Sequence, residues 1–128
     1  MENYRLSKRS EDNLIGVHPQ LVSVVRRGLI LSPVDFTVVE GLRTIERQRQ
    51  LLAQGVSKTL NSRHIKGEAV DLYPYYDGKV QIPKSSHNSW FLIAEAMAEA
   101  AEEQGVRITW GGHWVTIIDM PHYQIELG

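Results

Sequence analysis

The stretch Ser62-Arg63-His64-Ile65-Lys66-Gly67-Glu68-Ala69-Val70-Asp71 joins a histidine at the end of a polar segment to a carboxylate inside an apolar one. An ionised carboxylate among apolar residues is costly unless it has a strong partner. A divalent metal is one such partner and an Arg or Lys is another; this stretch alone leaves both open. Near the C-terminus, Asp119-Met120-Pro121-His122 supplies a second carboxylate and a second histidine. Two histidines and one carboxylate can hold zinc and leave its fourth tetrahedral position to water. Another carboxylate beside that water can take its proton as general base. Asp119 is close enough in sequence to His122 for this part, although an Asp that caps a turn before Pro121 is the simpler local reading. The remaining histidines, at positions 18, 87 and 113, are single residues whose type implies nothing by itself.

The elements that must position these residues can be read from periodicity and punctuation. Ser10-Glu11-Asp12 reads as an N-cap with an acidic first turn, opening a short helix that Gly16 closes. Pro19 suits the first turn of a second helix, in which Leu21, Val22, Val25 and Leu29 recur at three- and four-residue steps until Ser32-Pro33. Phe36-Thr37-Val38-Val39-Glu40 predicts a strand ending at Gly41, and Thr44 caps a third helix closed by Gly55. Residues 56–66 are polar and aperiodic, which predicts a loop. A strand over 69–73 should end at Pro74, with a turn at Asp77-Gly78. Residues 89–104 give the clearest amphipathic helix, and 106–110 and 123–127 read as final strands. Short scattered strands among helices predict an α+β fold with a small, mainly antiparallel sheet.

Composition narrows the classes. The chain has 128 residues, 14 Lys plus Arg against 15 Asp plus Glu, and a formal net charge of −1. That length predicts one domain over residues 1–128, with no second, separate domain. Near-zero charge argues against a general nucleic-acid binder. No apolar run approaches the ~20 residues that span a bilayer, so no membrane insertion is expected. The absence of cysteine excludes a catalytic thiol, a disulfide scaffold and thiolate metal sites, leaving nitrogen and oxygen ligands. Residues 43–66 carry six basic side chains (Arg43, Arg47, Arg49, Lys58, Arg63, Lys66) and one acidic, Glu46, a bias that suits an anionic substrate or merely a solvated face. Met1-Glu2-Asn3-Tyr4-Arg5 opens no signal-peptide pattern, so synthesis in the cytoplasm is expected.

Ser62-x-His64-x-x-Gly67-x-Ala69-x-Asp71 followed by Asp119-x-x-His122 resembles the zinc peptidases related to D-Ala-D-Ala carboxypeptidases, a superfamily that includes lysostaphin-type enzymes and the hedgehog signalling domain. Pro33-x-Asp35-Phe36-x-Val38-x-Glu40-Gly41-x-Arg43-Thr44 and Trp110-Gly111-Gly112-x-Trp114 are similar to the small phage endolysins that are L-alanyl-D-glutamate peptidases. The resemblance covers nearly the whole chain. It implies a hedgehog/D,D-peptidase-like fold and hydrolysis of the L-Ala–D-Glu bond in the peptidoglycan stem peptide, lysing the wall.

By the same resemblance, His64, Asp71 and His122 would ligate Zn²⁺ and Asp119 would be the general base. Arg43 would polarise the substrate or bind its carboxylate, with an ordinary ion pair as the alternative. Ser62 would hydrogen-bond substrate or fix the loop, and Gly67 would serve the turn between the ligands. A phage lysis enzyme of this type needs a holin to reach the wall, and a monomer is expected. His113 stands where relatives are expected to carry Asp, and residues 115–118 hold no acidic cluster, against calcium control. Two rivals stay open: a D,D-carboxypeptidase or dipeptidase acting on D-Ala-D-Ala, and a non-catalytic zinc-containing binding module.

Overall fold

A computed structural model describes residues 4–56 and 62–128. In chain order the elements are α1 (Lys8–Asn13), α2 (Pro19–Leu31), β1 (Phe36–Glu40), α3 (Ile45–Ala53), β2 (Ala69–Tyr76), β3 (Lys79–Val80), α4 (Asn88–Gln104), β4 (Ile108–Trp110) and β5 (His122–Ile125), with 3-10 turns at Arg63–Lys66 and Gly111–His113. Strand order is β1-β2-β5-β4, β3 folds back onto β2, and every pairing is antiparallel. The expected α+β architecture is the observed one.

Side-chain alternation divides the sheet into two faces. Phe36 and Val38 of β1, Val70 and Leu72 of β2, and Tyr123 and Ile125 of β5 join the core. Leu21, Val24, Val25 and Leu29 of α2 meet them there, as do Trp90, Ile93 and Met97 of α4. Each such side chain contributes ~1.5–3 kcal/mol on burial, so this layer supplies the rigidity. Asp71 and His122 belong to the opposite parity and point away from it. Among the described residues no helix is long and apolar enough to cross a membrane.

Several boundaries differ from the sequence reading. Ser7, not Ser10, caps α1, its hydroxyl accepting from the Ser10 N–H. Ser10 is buried instead, and its Oγ accepts from the Val38 N–H at 2.9 Å, tying α1 to β1. Helix α4 starts at Asn88 with His87 as its cap, and β5 starts one residue early, at His122. Pro74 does not end β2. Leu72 N–H donates to Pro121 and Tyr75 N–H to Asp35, so the missing Pro74 N–H falls on the edge beyond the start of β5. There the Pro74 carbonyl accepts from the Gln81 N–H at 2.8 Å just past β3, and only the reciprocal bond is forgone. Residues 57–61 of the expected loop, Lys58 among them, lie outside the described residues; Arg63–Lys66 is a 3-10 turn. Asp77 (φ 56°) and Gly78 (φ 76°) make the expected β2–β3 turn.

Candidate metal centre

The sheet register builds most of the centre. Asp71 on β2 lies directly opposite His122 on β5, so both side chains project from one face. An irregularity in β1 between Val38 and Glu40 makes Glu40, rather than Val39, the partner of Asp71. This bulge puts Glu40, Asp71 and His122 in one row across three strands.

His64 comes from outside the sheet. Ser62 Oγ accepts from the His64 N–H at 3.2 Å, starting the 3-10 turn. Gly67 ends it with φ 69°, a left-handed conformation costly for other residues. A Cβ at Gly67 would also collide with the Gly16 carbonyl, and the Gly67 carbonyl accepts from the His18 N–H at 2.8 Å. The turn is thereby pinned against the start of α2.

The three side chains converge. His64 Nε2 lies 3.2 Å and His122 Nδ1 3.5 Å from the same Asp71 oxygen. One ligand atom from each residue can be chosen with all three within 4.8 Å of one another. The outer ring nitrogens are occupied. His64 Nδ1 sits 2.9 Å from the Gly41 carbonyl, and His122 Nε2 sits 2.9 Å from Gln124 Oε1. A carbonyl only accepts, so each outer nitrogen carries the hydrogen and a neutral ring turns its lone pair inward. Three electron-pair donors facing one another repel unless a cation stands between them. The donor set of two nitrogens and one carboxylate oxygen, with the outer nitrogens held, fits zinc. Without metal, a proton does part of that work. Burial would raise the Asp71 pKa, but hydrogen bonds and charge from His122 and His64 outweigh it and hold Asp71 well below the usual carboxylate range. Burial would lower His122, but hydrogen bonds with Asp71 and Gln124 leave it raised.

Asp119 is fixed by its main chain. The N–H groups of Trp114 and Asp119 both donate to the Gly111 carbonyl, at 3.2 and 3.0 Å, and His122 N–H donates to the Asp119 carbonyl at 3.2 Å. Gly111 packs so closely on the Asp119 backbone that a Cβ there would strike its carbonyl oxygen. No side-chain hydrogen bond engages the Asp119 carboxylate among the described residues, so it is not used to cap the turn before Pro121. Burial, and then the Asp71 charge, push its pKa up; His122, His64 and Arg43 offset this only partly.

Arg43 is more enclosed than its expected role suggests. Its side chain is 9% exposed. Its Nε and Nη2 donate to both Glu40 oxygens at 2.7 and 2.6 Å, and Nη1 to Gln48 Oε1 at 2.6 Å and Ser62 Oγ at 3.4 Å. Ser62 thus fixes the loop in this structure. Glu40, Gln48 and Gln124 were missed in the sequence; Gln124 had a signal in its two-residue step from His122 on one strand. Arg63 of the basic segment donates to Ile125 O and Glu126, whereas Arg47, Arg49 and Lys66 are exposed. His18 and His87 cap helices, and the exposed His113 sets its ring edge against Trp110 with centroids 4.8 Å apart.

A model of the phage L-alanyl-D-glutamate peptidase family matches residues 2–126. The chain is 36% identical over 129 residues to the L-alanyl-D-glutamate peptidase of Escherichia phage T5, covering 98% of this chain and 92% of that protein. It is 26% identical over 95 residues to the L-alanyl-D-glutamate peptidase of Listeria phage A118, covering 73% of this chain but only 31% of that longer protein. The crystal structure of the Serratia marcescens L-Ala D-Glu endopeptidase ChiX matches with a TM-score of 0.87 at 45% identity, covering 98% of this chain and 92% of that one. With fold, length and sequence agreeing from end to end, the chain belongs to the phage L-alanyl-D-glutamate peptidase family.

Proposed function

We propose that this chain is a zinc endopeptidase that cuts the L-Ala–D-Glu bond of the peptidoglycan stem peptide and so lyses the bacterial wall. The observation that carries the metal reading is the convergence of the inward-facing His64, Asp71 and His122 atoms within 4.8 Å. The names of the relatives support the bond. When bound, the ion supplies Lewis acidity at the scissile carbonyl and to the attacking water. Asp119 takes the water proton and delivers it to the leaving amine of D-Glu. A carboxylate with a raised pKa is better matched to this task near neutral pH than an ordinary one. Arg43, gripped by Glu40 and Gln48, contributes as a fixed positive charge toward developing negative charge on the substrate. Ser62 holds the His64 loop. The phage origin of two relatives supports a lysis role, with a holin opening the way to the wall and the peptidase acting as a monomer.

Mass spectrometry of digested peptidoglycan tests the bond. New amino groups on D-Glu and new carboxyl groups on L-Ala are expected, with D-Ala-D-Ala ends intact. Free D-Ala would instead identify a carboxypeptidase, and binding without cleavage a binding module. Chelation should abolish lysis and stoichiometric Zn²⁺ restore it; full activity in a metal-free preparation would end the zinc reading.

A further inference from the structure

Each metal-facing histidine must offer an unprotonated nitrogen, and a neutral imidazole has only one. For His64 a main-chain carbonyl settles which. For His122 the decision passes through side chains. His122, Gln124 and Glu126 follow one another at two-residue steps, so they share a face of β5 and its continuation. Glu126 accepts from Thr109 Oγ1 at 2.6 Å and from Arg63 Nη2 at 3.2 Å. With a hydroxyl and a guanidinium donating to it, the Glu126 carboxyl is ionised near neutral pH and can only accept. The Gln124 amide must therefore turn its NH₂ to Glu126, where the distance is 2.9 Å. Its carbonyl then faces His122 Nε2, also at 2.9 Å. Among the described residues, the competing acceptor for a proton on the other nitrogen is Asp71, at the longer distance of 3.5 Å.

We infer that Gln124 is a positioning residue for the metal centre. Oriented by Glu126, it fixes His122 in the Nε2–H form and leaves Nδ1 free to bind metal. Thr109 and Arg63 hold Glu126 in place, so the relay runs from the β4–β5 ladder and the 3-10 turn into the centre. The inference deepens the zinc reading and rests on it.

Gln124→Met keeps the side chain's length and removes its polar atoms. Zinc affinity, measured by competition with a chromophoric chelator, should fall about 10- to 100-fold, as when other outer partners of metal ligands are removed. Nitrogen NMR of metal-free protein in alkaline solution, where imidazoles are neutral, should show Nε2–H at His122 in the parent chain and a shift toward Nδ1–H in the variant. The double exchange Gln124→Glu with Glu126→Gln again presents an acceptor to His122 with a donor behind it, and should recover most of the lost affinity. Two results would overturn the assignment: unchanged zinc affinity in Gln124→Met, or Nδ1–H at His122 in the metal-free parent. If the parent binds no zinc at all, the metal reading fails, and the NMR comparison still decides what Gln124 does. Should Gln124→Met not fold, the parent's tautomer and the double exchange carry the test.

Discussion

The two histidines of the centre are held by different kinds of structure. His64 is gripped by main chain: its ring by the Gly41 carbonyl, its own carbonyl by the Arg43 N–H, and its turn by the left-handed Gly67 against Gly16. His122 is placed by strand register and steadied by side chains, through Gln124, Glu126, Thr109 and Arg63. The first arrangement depends on the path of the chain, so damage to it should register as lost stability. The second depends on side-chain chemistry, so damage to it should register as lost metal affinity in a protein that still folds. One centre thus carries two distinguishable modes of failure.

The largest effect is expected where neither histidine is touched. Asp119 is anchored through its backbone to Gly111 and His122, and its carboxylate is left open. Asp119→Asn should keep the fold and the zinc yet lower turnover about 10²- to 10⁴-fold, the usual contribution of a positioned general base. Metal analysis beside kinetics checks this. Loss of zinc would make Asp119 a ligand, and near-normal turnover would remove it from the chemistry.

Next comes a direct break of the main-chain half. Gly67→Ala forces a Cβ into a left-handed conformation, costing about 1–3 kcal/mol, and adds a collision with the Gly16 carbonyl. Chemical denaturation should show at least that loss, with zinc affinity falling because the His64 turn is displaced. Gln124→Met, by contrast, should cost the metal-free protein less stability than Gly67→Ala does, while weakening zinc more in proportion. If both variants lose stability and affinity in the same proportion, the two halves are not separate.

The difference between the halves also explains what was legible in the sequence. Strand and helix periodicity exposed the α+β class, β1, α2 and the length of α4, because those faces are buried against one core. The His/Asp spacing and its family resemblance pointed to His64, Asp71 and His122, which the fold does bring together, and to Asp119 within range of their charges. The polar grip around them was harder to see. Glu40 falls opposite Asp71, with its carboxylate on Arg43, only because β1 carries an extra residue, and nothing in Val38-Val39-Glu40 announces a bulge. Pro74 reads as a stop because the pairing that carries β2 past it, with Gln81 N–H donating to the Pro74 carbonyl, exists only in three dimensions. Ser10 reads as a cap because a serine before acidic residues has that local preference, whereas its hydroxyl is used by Val38 on a distant strand. Long-range hydrogen bonds decided each of these cases.

The smallest expected effect is a pH dependence of stability confined to the metal-free protein. Asp71 has its pKa depressed by folding, so its contribution is present above the ordinary carboxylate value of ~3.9 and fades as pH falls through the depressed one. His122 has its pKa raised, so its contribution is full below the ordinary imidazole value of ~6.5 and fades as pH rises through the raised one. The metal-free centre should therefore be most stable between those two ordinary values, where a protonated His122 faces an ionised Asp71. Thermal melts of chelator-treated protein across this range should show the melting temperature declining on the alkaline side, and His122→Asn should flatten that decline. Zinc reverses the sign: it needs Nδ1 deprotonated, so its stabilisation should grow as pH rises through the same region. A metal-free protein whose alkaline decline survives His122→Asn would place the titrating group elsewhere. An alkaline decline that persists with zinc bound would mean that the metal does not occupy the position between His122 and Asp71.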